Sequence, residues 1–362
     1  MIYLDYQATT PLAPEAREAM LRWLDGPGGT GFGNPHSPHR YGRQAEAAVE
    51  LARERVTALF PAGGRVIFTG TATEALNMAL LGNAQARAGK AAAVSAIEHS
   101  AVYETAERLA GGRHVLPVGQ DGLLTRINAL PEGTGVVAVM QVNNEIGTIQ
   151  PMAEVAELAR RANAFLVCDA VQAAGKIPIA MADAIAISAH KLHGPKGIGA
   201  LWLREGVEIA PLITGGGQEY GLRSGTLSPA LIAGFGAAAK LATERMEEDA
   251  AHVEALWHRA RELFDGWTLN GSADARWRGN LSLRKDGLDV ARLMSEARNV
   301  AFSAGSACAS GSGKPSRVLQ AIGLPANLAK NTIRLGFGRY TSGEELEEAA
   351  AAINAAAQAQ GA

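Results

Sequence analysis

Short runs of consecutive apolar, β-favouring residues alternate along this chain with longer Ala-rich stretches of helical period. The runs are "VIFT" (66–69), "AAAVSA" (91–96), "GVVAVM" (135–140), "FLVC" (165–168), "AIAIS" (184–188) and "GALWL" (199–203). Strands without polar alternation are buried on both faces, which predicts a mainly parallel sheet covered by helices. The stretches 73–81, 101–109 and 153–163 carry the helical pattern between them, and strand–helix alternation is the α/β signature. The pattern changes near Gly234. "FGAAAKLATERMEEDAAHVEALWHRARELF" reads as one long helix with room for a break. "NLSLR", "LDVARLMSEA" and a last helix from "GEELEEAAAAINAAAQ" follow, and together they predict a smaller α+β region.

Open α/β sheets bind ligands beyond the carboxyl ends of their strands, so the residues after each run matter most. They are "GTATEA", "IEHS", "QVNNE", "DAVQ" and "AHKLHGPKG". Each offers a polar or ionisable group, which predicts a cleft containing His99, Asn144, Asp169, Gln172, His190 and Lys191. Thr71 and Glu74 have the spacing of a capping box, and the helix start they mark would suit phosphate. No Gly-Lys-Ser/Thr follows, so this is not a Walker A loop. A lysine leaving a buried strand is partly desolvated, which frees its amine for covalent chemistry. With Asp169 one strand earlier, Lys191 meets the two main demands of a pyridoxal phosphate site.

Composition narrows the class. Apolar residues make up 47% and charged residues 19%, a globular balance with ample core in a 362-residue chain. A formal net charge of −2 supplies no basic field for nucleic acid. Cys168 and Cys308, the only two cysteines, cannot build a disulfide framework and fit a reducing compartment, so a cytoplasmic location is expected. The first residues lack the basic and apolar regions of a signal peptide, and no apolar run is long enough to span a bilayer. The histidine pairs in "NPHSPHR" and "HKLH" have no cysteine or carboxylate at a ligand spacing, so no metal is expected. Cys168 lies within an apolar strand and reads as a packed side chain. Cys308 is different: it sits in "FSAGSACASGSGKPS", a Ser/Gly/Ala segment with little to pack.

The ordered set "YLDYQATTP", "GNPHS", "FTGTATEALN", "EHSAV", "VNNEIGTIQP", "CDAVQAAGK", "SAHKLHGPKGIGALW", "GGGQEYGLRSGT", "SAGSACASG" and "IRLGFGRYT" resembles the motifs of NifS/IscS-type cysteine desulfurases across nearly the whole chain. The resemblance implies a pyridoxal 5'-phosphate enzyme of the type I aminotransferase fold, class V branch, working as a homodimer. It implies a segment 1–14 joining the small domain, a cofactor-binding domain 15–250, and a small domain 251–362 that carries the Cys308 loop. Carried over by position, Lys191 resembles the lysine that holds the cofactor, Asp169 the partner of the pyridinium nitrogen, and Gln172 the partner of the ring hydroxyl. His99 resembles the histidine stacked on the ring, a candidate proton carrier. Ala72, Thr73, Ser188 and His190 match the phosphate cradle, and Thr226 the residue that reaches the partner subunit's phosphate. Asn144 and Arg334 match the groups that hold the substrate carboxylate, and Cys308 matches the nucleophile that takes the sulfur as a persulfide.

The implied reaction converts L-cysteine to L-alanine and hands sulfur to an acceptor protein, an iron–sulfur scaffold or a thiolation relay. Other readings are a selenocysteine lyase or aminotransferase of the same fold, or a non-catalytic assembly partner; neither nucleic acid nor a membrane is an expected partner. Intact Lys191, Asp169, His99 and Cys308 argue against a non-catalytic scaffold. Three departures stand out: Gln7 replaces the usual Ser or Asn, Val171 replaces a frequent Thr, and the chain ends soon after "GRYTSGEELEE". The spacing around Cys308 resembles the long-loop branch, in which the loop would be poorly ordered or held away from the cofactor before substrate binds.

Overall fold

A computed structural model describes residues 1–83, 89–305 and 315–361. Seven strands form the main sheet, in spatial order Gly64–Thr69, Gly199–Arg204, Ala184–Ser188, Phe165–Asp169, Thr134–Met140, Ala91–Ser95 and Arg113–Leu116. Gly199–Arg204 runs antiparallel to both neighbours, and the remaining pairs are parallel. The middle strands are buried throughout, which is why their sequences carry no polar alternation. Because they are parallel, their carboxyl ends open on one edge, and the chemistry-bearing segments meet there.

Helix Ala72–Asn83 follows the first strand, and Ser100–Glu107 and Met152–Arg161 flank the sheet farther along. The last of these ends two residues before Asn163, whose φ of 50° places it in the left-handed region that asparagine tolerates after a helix. The sequence allowed a break in the long helix after Gly234, yet Pro229–Leu263 is continuous over 35 residues. Ser228 caps it by accepting from Leu231 N, and Pro229 opens it. Glycine costs a helix about 1 kcal/mol relative to alanine. Here it permits close packing: a Cβ on Gly234 would meet Met20 Cγ at 2.5 Å, and one on Gly236 would meet Ala52 Cβ at 2.6 Å. The early half of this helix therefore seats against helices Pro14–Leu21 and Arg40–Thr57, and the helix also packs against Gly343–Gln358.

A second, antiparallel sheet has the order Ser303–Ala304, Thr332–Gly336, Asn280–Arg284, Thr268–Leu269. The chain's first residues join this region: Ile2–Tyr3 pairs in parallel with Val300–Ala301, and Asp5 bridges Gly336. The segment that follows then crosses to the main sheet, where Thr10 N donates to the His190 carbonyl at 2.9 Å and Ala13 N to the His193 carbonyl at 2.9 Å. No helix among the described residues is long and apolar enough to cross a membrane.

That crossing carries a pH dependence. His193 is 8% exposed, its N–H donates to Thr10 Oγ1 at 2.7 Å, and its Nδ1 lies 2.9 Å from the Pro11 carbonyl, which requires the proton on Nδ1. Burial lowers its pKa to about 4, against the smaller opposing effect of the Pro11 contact. The unfolded imidazole titrates near 6.5. Between those values the unfolded chain binds the extra proton, so stability is full above about pH 6.5 and falls as pH drops toward 4. The loss from this one residue is roughly 3 kcal/mol at most. Denaturant unfolding at a series of pH values should show this slope, flattened in His193→Gln; an equal slope in the variant would remove His193 as its source.

Candidate active site

A cavity of about 440 Å³ opens at the carboxyl ends of the parallel strands, lined by residues from seven segments of the sequence. Asp169 ends its strand and is 5% exposed. Its Oδ1 accepts from Val171 N at 3.0 Å, a backbone contact that the loss of a threonine side chain at 171 leaves intact. Burial raises the Asp169 pKa, while His99, the Val171 N–H and Lys191 oppose the rise. A buried carboxylate with one N–H partner favours a cationic or N–H donor in the cavity.

Ser188 ends the next strand, and the turn Ala189–Lys191 follows. It brings His190 and Lys191 to the same wall. Lys191 Nζ donates to the carbonyls of Gln7 and Ala8, each at 2.6 Å. His190 Nδ1 lies 3.2 Å from Thr9 Oγ1. Burial first, then Lys191, Lys196 and Lys176, lowers the His190 pKa to about 4, so this ring is neutral at physiological pH. Across the cavity, His99 caps helix Ser100–Glu107: Ala101 N donates to its Nδ1 at 3.1 Å, which leaves Nε2 to carry the proton of the neutral ring.

The start of helix Ala72–Asn83 forms the anion end of the cavity. Its early N–H groups have no intrahelical acceptor. Gly199 makes room beside them, since a Cβ there would lie 2.7 Å from Ala72 N. The capping box expected from Thr71 and Glu74 forms only in half. Glu74 N donates to Thr71 Oγ1 at 3.1 Å, but Glu74 Oε2 accepts from Gly70 N at 2.7 Å and its Oε1 from Arg223 Nε at 2.8 Å. A long-range cation draws the carboxylate away from the return contact.

Arg334 also lines the cavity and is 1% exposed. Nη1 donates to the Asn144 carbonyl at 3.0 Å and Nη2 to Asp5 Oδ1 at 2.8 Å, while Ser303 Oγ also donates to Asp5 Oδ1 at 2.9 Å. Among the described residues Nε is buried without a hydrogen-bond partner. A buried guanidinium with an unused donor suits an incoming carboxylate.

The structure thus brings together His99, Ala72, Thr73, Asn144, Asp169, Gln172, Ser188, His190, Lys191 and Arg334 on one cavity. Thr226 does not line it; that residue is exposed on the chain's surface. Cys308 and its loop lie outside the described residues, but both flanks are anchored beside the cavity. Ser303 joins Asp5 and Arg334, and Ser316 donates to Glu145 next to Asn144. Arg317 then donates to the Ala96 carbonyl at 2.7 Å and to the Glu98 carbonyl, just before His99. Cys168 is fully buried, and burial pushes its thiol pKa well up, so it cannot supply a thiolate. No group of three or more His, Cys, Asp or Glu among the described residues could hold a metal.

Several site residues escaped the sequence reading. Asp5 and Ser303 brace Arg334, and Lys196 and Gly197 line the cavity beside Lys191. Gln7 also gains an explanation. Its Nε2 donates to the Gly279 carbonyl at 2.7 Å, and its Oε1 occupies space 1.8 Å from where a Cβ on Gly336 would stand. The larger side chain fits because Gly336 has none.

The donor set fits a phosphorylated pyridine aldehyde: helix-start N–H groups and hydroxyls, a buried carboxylate, an amine and a guanidinium line one cavity. Comparison with known proteins agrees. Residues 2–348 match the family described as Aminotransferase class-V. The cysteine desulfurase IscS of Rickettsia akari (strain Hartford) is 42% identical over 368 residues, covering 96% of this chain and 89% of the relative. A solved NifS-like protein superposes with a TM-score of 0.88 at 31% identity, covering 98% of each chain. A NifS-like protein from Rickettsia africae ESF-5 superposes with a TM-score of 0.86 at 27% identity, covering 98% of this chain and 99% of that one. Ordered motifs, cavity chemistry and full-length similarity converge, and the chain belongs to the class-V aminotransferase family, within its IscS/NifS group of cysteine desulfurases.

Proposed function

We propose that this protein is a pyridoxal phosphate-dependent cysteine desulfurase that converts L-cysteine to L-alanine and carries the released sulfur on Cys308. The observation that carries this reading is the convergence of Lys191, Asp169, the Ala72–Thr73 helix start and Arg334 on one cavity. The Ala72 and Thr73 N–H groups, Ser188 and neutral His190 would hold the phosphate. Asp169 would hold the pyridine nitrogen, Gln172 the ring oxygen, and Lys191 the cofactor's aldehyde carbon. When bound, the cofactor supplies an electron sink for the substrate's Cα–H bond.

The chain's own groups then divide the remaining work. Arg334 would orient the substrate carboxylate with Asn144, and Lys191 Nζ would move the Cα proton. His99 Nε2 is the second proton carrier. Cys308 as thiolate attacks the substrate sulfur: an S–S bond forms, the C–S bond breaks, and the carbon skeleton takes up protons to leave as alanine. The sum, L-cysteine plus thiol to L-alanine plus persulfide, balances without an outside oxidant or reductant. An ordinary thiol near pKa 8.5 is only a few per cent ionised at pH 7, so a nearby cation would raise the rate.

The acceptor would be a protein of iron–sulfur assembly or thiolation, reached in the reducing cytoplasm. A second copy of the chain would cover exposed Phe32 and Tyr41, whose rings lie 5.2 Å apart, and exposed Tyr220, and would bring Thr226 to the partner's phosphate. The test is incubation with labelled L-cysteine, followed by alanine detection and mass spectrometry of the Cys308 peptide. Labelled alanine with a sulfur adduct on that peptide is expected. No visible absorbance after adding pyridoxal phosphate, and no alanine, would end the reading.

Arg334→Lys should raise KM for cysteine about ten- to a hundredfold, the worth of a lost charged hydrogen bond, while the bound cofactor's spectrum stays unchanged. An unaltered KM would take the carboxylate role away from Arg334.

A further inference from the structure

Lys176 has no part in the scheme above. It stands one turn beyond Gln172, in the segment that leaves strand Phe165–Asp169. Its Nζ donates to Gln172 Oε1 at 3.0 Å. The other end of that amide is also engaged, because Gln172 Nε2 donates to the Gln7 carbonyl at 3.0 Å. Gln172 is 4% exposed and lines the cavity.

An amide has one acceptor oxygen and two donor hydrogens. With Oε1 facing Lys176 and one hydrogen on Gln7, the hydrogen that remains is the one free to serve the cavity. Flipping the amide would set NH₂ against the Lys176 amino group and oxygen against the Gln7 carbonyl oxygen. The Gln7 carbonyl has no donor to offer the flipped amide's oxygen. Burial, with a smaller effect from Lys191, lowers the Lys176 pKa to about 7. As ammonium the group has only donors and rejects the flipped NH₂; as amine it still has an N–H for Oε1, and the Gln7 carbonyl then selects the orientation.

We infer that Lys176 is a positioning residue: it locks the Gln172 amide with its N–H toward the cofactor's ring oxygen, which favours the ionised form of that oxygen. The inference rests on the reading of Gln172 as the partner of the ring oxygen, and the two can fail separately.

The test is a pH titration of the bound cofactor's visible absorption in the holoenzyme, in wild type, Gln172→Ala, Lys176→Met and the double variant. Gln172→Ala should move the midpoint up by about one to two units, the worth of one hydrogen bond to the anion. Lys176→Met should move it in the same direction by a similar amount. The double variant should match Gln172→Ala alone, because Lys176 acts through that amide. Lys176→Arg, which restores an N–H donor, should return the midpoint toward wild type and serves if the Met variant folds poorly. An unmoved midpoint in Gln172→Ala would overturn the Gln172 reading. A shift in Gln172→Ala without one in Lys176→Met would overturn the role of Lys176 alone. An equal added shift in the double variant would show a direct charge effect and overturn positioning.

Discussion

Lys191→Ala is expected to lower turnover of L-cysteine by on the order of a thousandfold or more, while the protein still binds pyridoxal phosphate without a covalent bond. The size follows from two losses at one atom. Lys191 Nζ is the amine that would hold the cofactor's aldehyde carbon and would also serve as the base for the Cα proton. The rest of the cavity does not depend on it: the helix start at Ala72, Ser188, Asp169 and Arg334 sit on other elements. Binding of the phosphate and ring should therefore survive. Borohydride reduction followed by mass spectrometry should fix cofactor to the wild-type Lys191 peptide and to no peptide of the variant. Normal turnover by Lys191→Ala would refute the assignment of this amine.

The second large effect falls on Cys308→Ala. This variant should keep the cofactor and its spectral response to L-cysteine but lose sulfide release by about a thousandfold or more, since no other thiol can take the nucleophile's place. Cys168 is excluded by its position, fully buried within strand Phe165–Asp169 with its thiol pKa raised by burial and by Asp169. Substrate binding, by contrast, would rest on Arg334 and Asn144, outside the Cys308 segment. The separation of the two readouts is the diagnostic feature: cysteine should still perturb the visible spectrum, and sulfide should not appear. Full sulfide release from Cys308→Ala would remove this residue from the reaction.

Much of the cavity was legible before any coordinates. Asp169, Ser188, His190 and Lys191 stand at or just beyond strand ends, and a buried strand announces itself by an unbroken apolar run. His99 was legible for the same reason, in the segment that follows a strand, whereas Ala72 was assigned to the phosphate cradle only through the resemblance. The long helix Pro229–Leu263 was legible in outline, but its continuity depends on Met20 and Ala52 filling the space that Gly234 and Gly236 leave. The capping box failed in half because Arg223, 149 positions away from Glu74, competes for its carboxylate. Arg334 and Cys308 rested on resemblance alone, since no periodicity marks either one.

By itself the sequence determined the strand and helix pattern, the strand-end groups and the ordered motifs, because each is a short-range property of neighbouring residues along the backbone. Only the tertiary structure decided how those groups are held. Asp5 meets Arg334 across 329 positions, and Gln7 sends its carbonyl to Gln172 across 165 and to Lys191 across 184. The direction of one amide and the partner of one guanidinium are fixed by atoms a few ångströms away in space and hundreds of residues away in the chain. Hydrogen bonds act over the first distance and leave no trace in the second.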